Sequence, residues 1–181
     1  MITAPKVFCV GFHKTGTTSL HHALEALVLR CKGFDGELLG LYVASELSSI
    51  LAFAERYDAL RDWPWPLLYR ELAERYRDGR FILTVREPRS WLKSLIRHAE
   101  RTGPTEARRI VYGHAMPHGH EERHLEVYRR HNEAVTDFFR GRSNFLSLRT
   151  ENDLDYPPLC RFLGLPVPGS AFPHSYRTDP A

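Results

Sequence analysis

Cysteine is scarce in this chain: Cys9, Cys31 and Cys160 are odd in number and far apart. That excludes a small secreted scaffold held by disulfides and makes a reducing, cytoplasmic setting the expectation. Cys9 lies in an apolar run and reads as a small buried hydrophobe. Long apolar runs are also missing; none approaches the roughly eighteen residues of a membrane span. The N-terminus lacks the charged start, apolar core and small-residue cleavage site of a secretory leader, so none is expected. Charge of one sign is weak, since Lys+Arg 25 against Asp+Glu 22 leaves +3. Such a balance does not point to nucleic acid and suits a small anionic ligand better. Repeats, linkers and low-complexity segments are absent. What remains is 43% hydrophobic and 26% charged, which excludes disorder, over 181 residues, enough for one core. One domain over residues 1–181 is the expectation.

The pattern along the chain alternates strand and helix. Lys6–Gly11 is a short apolar run ending in glycine, as in a buried parallel strand. Helical spacing starts at Thr18 and recurs over 38–56, 67–77, 88–101, 121–140 and 157–163. Further strands are expected at 58–62, 80–85 and 144–148, of which Arg80–Val85 is the clearest. Residues 103–119, rich in glycine and histidine, read as a long loop or lid with a helical piece, and the prolines after Leu165 as an extended tail. The expectation is an α/β fold in three layers around a central parallel sheet of four to five strands.

Between the first strand and helix lies His13-Lys14-Thr15-Gly16-Thr17-Thr18-Ser19. Backbone amides opening a helix, with hydroxyls beside them, make an anion cradle. Gly11, Gly16 and Thr18 keep the spacing of the triphosphate-binding pattern G-x-x-x-x-G-K-[ST], yet Thr17 stands at its lysine position and the lysine is three residues earlier, at Lys14. The strand 80–85 runs into Arg86 where a magnesium-holding Asp would be needed, so protein cations are expected to meet the ligand's charge. The plainer reading of the loop is a turn whose hydroxyls only cap the helix. Arg86 and Ser94, eight apart, form a candidate second anion clamp.

These two elements together resemble the sulfotransferase superfamily. Lys14-Thr15-Gly16-Thr17-Thr18 is similar to its loop for the 5'-phosphosulfate of 3'-phosphoadenosine-5'-phosphosulfate (PAPS), and Arg86 to Ser94 to its element for the 3'-phosphate. Phe81–Ser94, Asp62-Trp63-Pro64 and Phe172-Pro173-His174 resemble a short subfamily, so most of the chain is covered. The resemblance implies a P-loop-like fold, PAPS as co-substrate, no required metal, and sulfuryl transfer to a hydroxyl or amine of a small acceptor. It implies Lys14 as the group facing the leaving phosphate and Thr15, Gly16, Thr17, Thr18, Ser19, Arg86 and Ser94 as nucleotide-binding. Ser19 stands where cytosolic members stack a tryptophan on adenine. Their C-terminal arginine-lysine-glycine segment has no match, and Arg177 is a candidate substitute. The segment between Lys32 and Leu38 is short, leaving an acceptor pocket that is open or completed by a second copy in a homodimer.

Asp62 stands where those members carry a histidine base, and desolvation between Trp63 and Trp65 would raise its pKa toward neutrality. The alternative is that it caps a helix starting near Pro66. His13 and Glu37 are further candidates for the base. Trp63, Trp65 and Tyr69 are candidates for either acceptor-site walls or core. His114, His118, His120, His124 and His131 include a pair at zinc-binding spacing, but a lid that gains charge below neutral pH fits the surrounding arginines better. Two other functions stay open: a nucleotide kinase or NTPase with Asp62 on magnesium, and a catalytically silent nucleotide-binding domain.

Overall fold

The computed structural model describes residues 5–173. Its strands are β1 (Val7–Cys9), β2 (Cys31–Lys32), β3 (Ala59–Arg61), β4 (Arg80–Val85) and β5 (Phe145–Arg149). They form one parallel sheet in the order β2-β3-β1-β4-β5. The helices are α1 (Thr17–Ala26), α2 (Gly36–Val43), α3 (Leu47–Ala54), α4 (Tyr69–Arg75), α5 (Pro88–Thr102), α6 (Glu106–Tyr112), α7 (Glu121–Phe138) and α8 (Tyr156–Leu163), and a 3-10 turn lies at Trp65–Leu68.

Strand periodicity generates the three layers. Val7, Cys9 and Ile82 point to one face and are covered by Leu20, Leu24, Leu159 and Leu163 from α1 and α8. Phe8, Val10, Phe81 and Leu83 point to the other and are covered by Ile50, Leu72, Val135 and Phe139 from α3, α4 and α7. With both faces roofed, β1 and the middle of β4 carry apolar residues on both faces, as a buried parallel sheet requires. A third cluster, around Phe12, Trp63, Trp91, Tyr112 and Tyr128, packs α5, α6 and α7 against the ends of β1 and β3.

Two expectations change, and the sheet takes the upper number of the four to five strands expected. The single helix over 38–56 is two: Asp35 starts α2 by accepting the N–H groups of Glu37 (3.0 Å) and Leu38 (3.2 Å), and the chain turns at left-handed Ser45 (φ 61°) before α3. The fifth strand, β2, has only two residues and carries no periodic signal of its own; it is held by pairing with β3. The segment 103–119 is no open lid. Thr105 caps α6, Tyr112 is fully buried among Phe12, Trp63 and Trp91, and buried Arg108 donates to Thr102 Oγ1 (2.9 Å), Thr105 Oγ1 (3.0 Å) and the Gly103 carbonyl.

The exit of β1 is fixed from α7, where the part-buried His131 ring hydrogen-bonds through Nε2 to the Val10 carbonyl at 2.7 Å. Burial pushes the pKa of His131 from 6.5 down to about 4, against the opposing effect of that carbonyl. The unfolded state therefore binds the extra proton between those values, and stability is full above 6.5 and falls as pH drops toward 4. This histidine should contribute about 3 kcal/mol of acid destabilisation. His131→Gln should flatten that limb in urea unfolding measured from pH 7 to 4; an unchanged limb would assign the acid sensitivity elsewhere.

Candidate active site

The residues after β1 form a bend with little freedom. Val10 N–H still pairs with the Ile82 carbonyl (2.8 Å), and Gly11 lies so close to β4 that a Cβ there would come within 2.4 Å of Thr84 Oγ1. Lys14 (φ 66°) and Gly16 (φ 82°) are both left-handed. Thr15 hydroxyl, fully buried, donates to the Phe12 carbonyl (2.5 Å) and accepts from Thr84 Oγ1 (2.6 Å). From the far side, Thr150 hydroxyl reaches the carbonyls of Thr15 (2.8 Å) and Val85 (2.9 Å). A Cβ on Gly16 would meet Leu154 Cδ2 at 2.7 Å. The bend is thus fastened to the C-terminal ends of β4 and β5, and α1 starts directly from it at Thr17.

Above these strand ends lies a cavity of about 350 Å³ lined by His13, Lys14, Gly16, Thr17, Thr18, Ser19, Asp62, Arg86, Ser94, His98, Thr150, Glu151 and Leu154. This is where α/β sheets bind ligands. Of the residues singled out in the sequence, Lys14, Gly16, Thr17, Thr18, Ser19, Asp62, Arg86 and Ser94 share that one cavity. Thr15 does not line it; its side chain serves the bend, leaving only its amide for a ligand. His13 lines it, whereas Glu37 is exposed in the first turn of α2. Trp63, Trp65 and Tyr69 are buried in the core and do not line the cavity. His98, Thr150, Glu151 and Leu154 escaped sequence reasoning. His98, one helical turn past Ser94, was within reach of it; the other three follow β5 in a stretch with no recognisable pattern. Arg177 and the end of the Phe172-Pro173-His174 motif lie outside the described residues.

Electrostatics divides the lining. Lys14 is held below its ordinary pKa by burial and then by Arg101, with Arg86 and Arg97 adding to the effect and Asp62 opposing it. Asp62 goes the other way: burial raises its pKa, against the Trp63 N–H (2.9 Å) and the charges of Arg61 and Lys14. Its carboxylate is no helix cap, because the turn after it takes the Asp62 backbone carbonyl through Trp65 N–H (3.1 Å). His13, packed on Trp63 and hydrogen-bonded to Tyr112 (3.0 Å), is kept neutral chiefly by burial. The Arg86 backbone is clamped in both directions by Tyr128 hydroxyl (2.8 and 2.9 Å). Its buried Nε lies 3.8 Å from Glu151 and has no hydrogen-bond acceptor among the described residues. A buried donor left unmatched beside a cavity is costly unless an anion completes it.

The histidine-rich segment stands apart. His114 and His120 stack face to face at 3.5 Å, His118 faces Glu100, and no three metal-binding side chains converge among the described residues.

Comparison with known proteins agrees with this geometry. The family model described as a sulfotransferase domain matches residues 6–180. No curated protein matches the chain. The crystal structure of a sulfotransferase from Alicyclobacillus acidocaldarius aligns with a TM-score of 0.59, covering 99% of this chain and 88% of that one. At 18% identity that likeness is one of fold.

If Thr150 fastens the bend, Thr150→Val should lower the unfolding free energy by about 1–2 kcal/mol, because the Thr15 carbonyl loses its donor while the Val85 carbonyl keeps the Thr150 N–H (2.8 Å). Urea unfolding measures this directly, and an unchanged midpoint would show the bend to be held without it.

Proposed function

Because the chain belongs to the sulfotransferase domain family, we propose that it moves the sulfuryl group of PAPS to a hydroxyl or amine of a small acceptor. The observation that carries this reading is the sharing of one cavity by Lys14, set within the bend, and Arg86, set at the end of the adjacent strand. The donor set suits a nucleotide with anionic groups at both ends: helix-start amides and three hydroxyls at one, a guanidinium with an unmatched Nε and the Ser94 hydroxyl at the other.

When bound, PAPS supplies an activated sulfuryl group on a phosphate that can depart. The amides of Thr15 and Gly16 with the hydroxyls of Thr17, Thr18 and Ser19 hold the 5'-phosphate. Arg86 and Ser94 hold the 3'-phosphate. Lys14 meets the negative charge that grows on the departing phosphate oxygen, where a preorganised cation in a part-buried site counts most. Asp62 takes the acceptor proton as the new bond to sulfur forms, and its raised pKa suits that exchange. No metal is needed for the charge balance. The same reading places the enzyme in the cytoplasm, supported by three unpaired cysteines; no helix among the described residues is long and apolar enough to cross a membrane.

Adenosine 3',5'-bisphosphate at a hundredfold excess over its Kd should stabilise the protein by about 2.7 kcal/mol in thermal unfolding. Mg-ATP stabilising the fold while the bisphosphate does not would overturn the reading in favour of a phosphotransferase with Asp62 on the metal. Lys14→Ala should cut bisphosphate release from PAPS in the presence of phenol acceptors by about 10²–10³-fold, with a much smaller effect on bisphosphate affinity. Since burial raises the Asp62 pKa, activity should climb with pH through a limb above the ordinary carboxylate range. Asp62→Asn should abolish that limb; a variant keeping it would remove Asp62 as the base.

A further inference from the structure

The face of α5 that looks into the cavity continues beyond the residues assigned to the nucleotide. Ser94 and His98 both line the cavity. At about 100° per residue, Arg101 falls on the same stripe beside Ser94, with Arg97 flanking it, and the stripe runs roughly 10 Å along the helix. Both arginines are exposed, and neither is held by a salt bridge to a carboxylate as Arg86 is by Glu151. Glu100 lies on another side of the helix and faces His118.

Their charge reaches the point of transfer. After burial, Arg101 is the largest influence lowering the Lys14 pKa, and Arg97 adds to it. His98 is lowered by burial and then by Lys14, Arg108 and Arg101. Arg108 deepens the field, because this buried guanidinium is satisfied by two hydroxyls, a carbonyl and the Met116 sulfur, with no carboxylate. Against these cations the cavity lining offers two carboxylates, Asp62 and Glu151, and Glu151 is engaged near Arg86. The nucleotide's phosphates are already met by the helix-start amides, Lys14, Arg86 and Ser94. Arg97 and Arg101 are therefore surplus to the donor: they lie outside the lining itself, one turn or less from His98 on the helix face that carries Ser94, and their charge is felt at Lys14.

We infer that the acceptor is itself an anion: a hydroxyl- or amine-bearing molecule with a carboxylate, phosphate or sulfate group, held by Arg97 and Arg101 at the mouth of the cavity. This rests on the donor reading above. Guanidinium forks bind such groups through paired hydrogen bonds, and the positive mouth draws them in. A neutral acceptor of the same shape gains neither.

The test compares 4-hydroxybenzoate with 4-hydroxybenzamide, a pair that differs in the charge, by saturation-transfer NMR on protein loaded with adenosine 3',5'-bisphosphate. The benzoate should bind at least about tenfold more tightly, and Arg97→Gln/Arg101→Gln should erase the difference while the bisphosphate Kd changes less than about twofold. Equal binding of the pair by the unaltered protein would overturn the inference. So would a loss of bisphosphate affinity in the double variant, which would assign the two arginines to the donor. The far-ultraviolet circular dichroism and unfolding midpoint of the variant should be unchanged, as expected for exposed side chains. Should the bisphosphate not bind the unaltered protein, the donor reading fails, and the same pair measured without nucleotide still decides whether the mouth selects anions. Where both compounds bind as expected, transfer of labelled sulfate from PAPS should favour the benzoate.

Discussion

Three threonine hydroxyls, Thr15, Thr84 and Thr150, hold the bend after β1 against the ends of β4 and β5, and everything chemical in the molecule depends on that attachment. Gly11 permits it by leaving no Cβ between the bend and Thr84. The left-handed turns at Lys14 and Gly16 then place an ammonium inside the bend and start α1 with its N–H groups toward the cavity. Because β4 neighbours β1, the same contact places Arg86 at the other side of one cavity. A parallel sheet with both faces covered gives this arrangement a rigid base: Cys9, Val10 and Ile82 are wholly buried directly beneath it.

Burial acts on the cavity's groups in opposite senses. It lowers the pKa of Lys14, raises that of Asp62 and lowers that of His13. The lining itself balances Lys14 and Arg86 against Asp62 and Glu151, and the excess of positive charge comes from Arg97, Arg101 and Arg108, which act on Lys14 and His98 from outside it. The field also extends along α5 past the donor's own needs, which ties the choice of acceptor to the same helix that carries Ser94.

The sequence displayed the site through local patterns. A strand, a glycine-spaced bend and a helix were visible between Lys6 and Val28, and Arg86 and Ser94 were visible as a pair behind the most regular strand. Asp62 was found by position, although not the reason its side chain is no cap, which lies in the course of the backbone at Trp63–Trp65. Features made by tertiary contact were silent. β2 exists because β3 is beside it, and the break at Ser45 depends on packing two short helices separately. The sequence does not show that the Thr15 side chain is spent on the bend, nor which of the two open readings of Trp63 and Trp65, acceptor walls or core, the packing selects; they fill the core. Thr150, Glu151 and Leu154 arrive at the cavity through the fold alone, from a stretch about 130 residues away in sequence, as only long-range pairing of β4 with β5 can bring them there.

The most direct test of the central claim is a crystal structure of the protein with adenosine 3',5'-bisphosphate. The account predicts one nucleotide in the cavity, its 5'-phosphate against the amides of the bend and Lys14, its 3'-phosphate against Arg86 and Ser94. A nucleotide bound elsewhere, or bound here with Lys14 and Arg86 on the same phosphate, would contradict it.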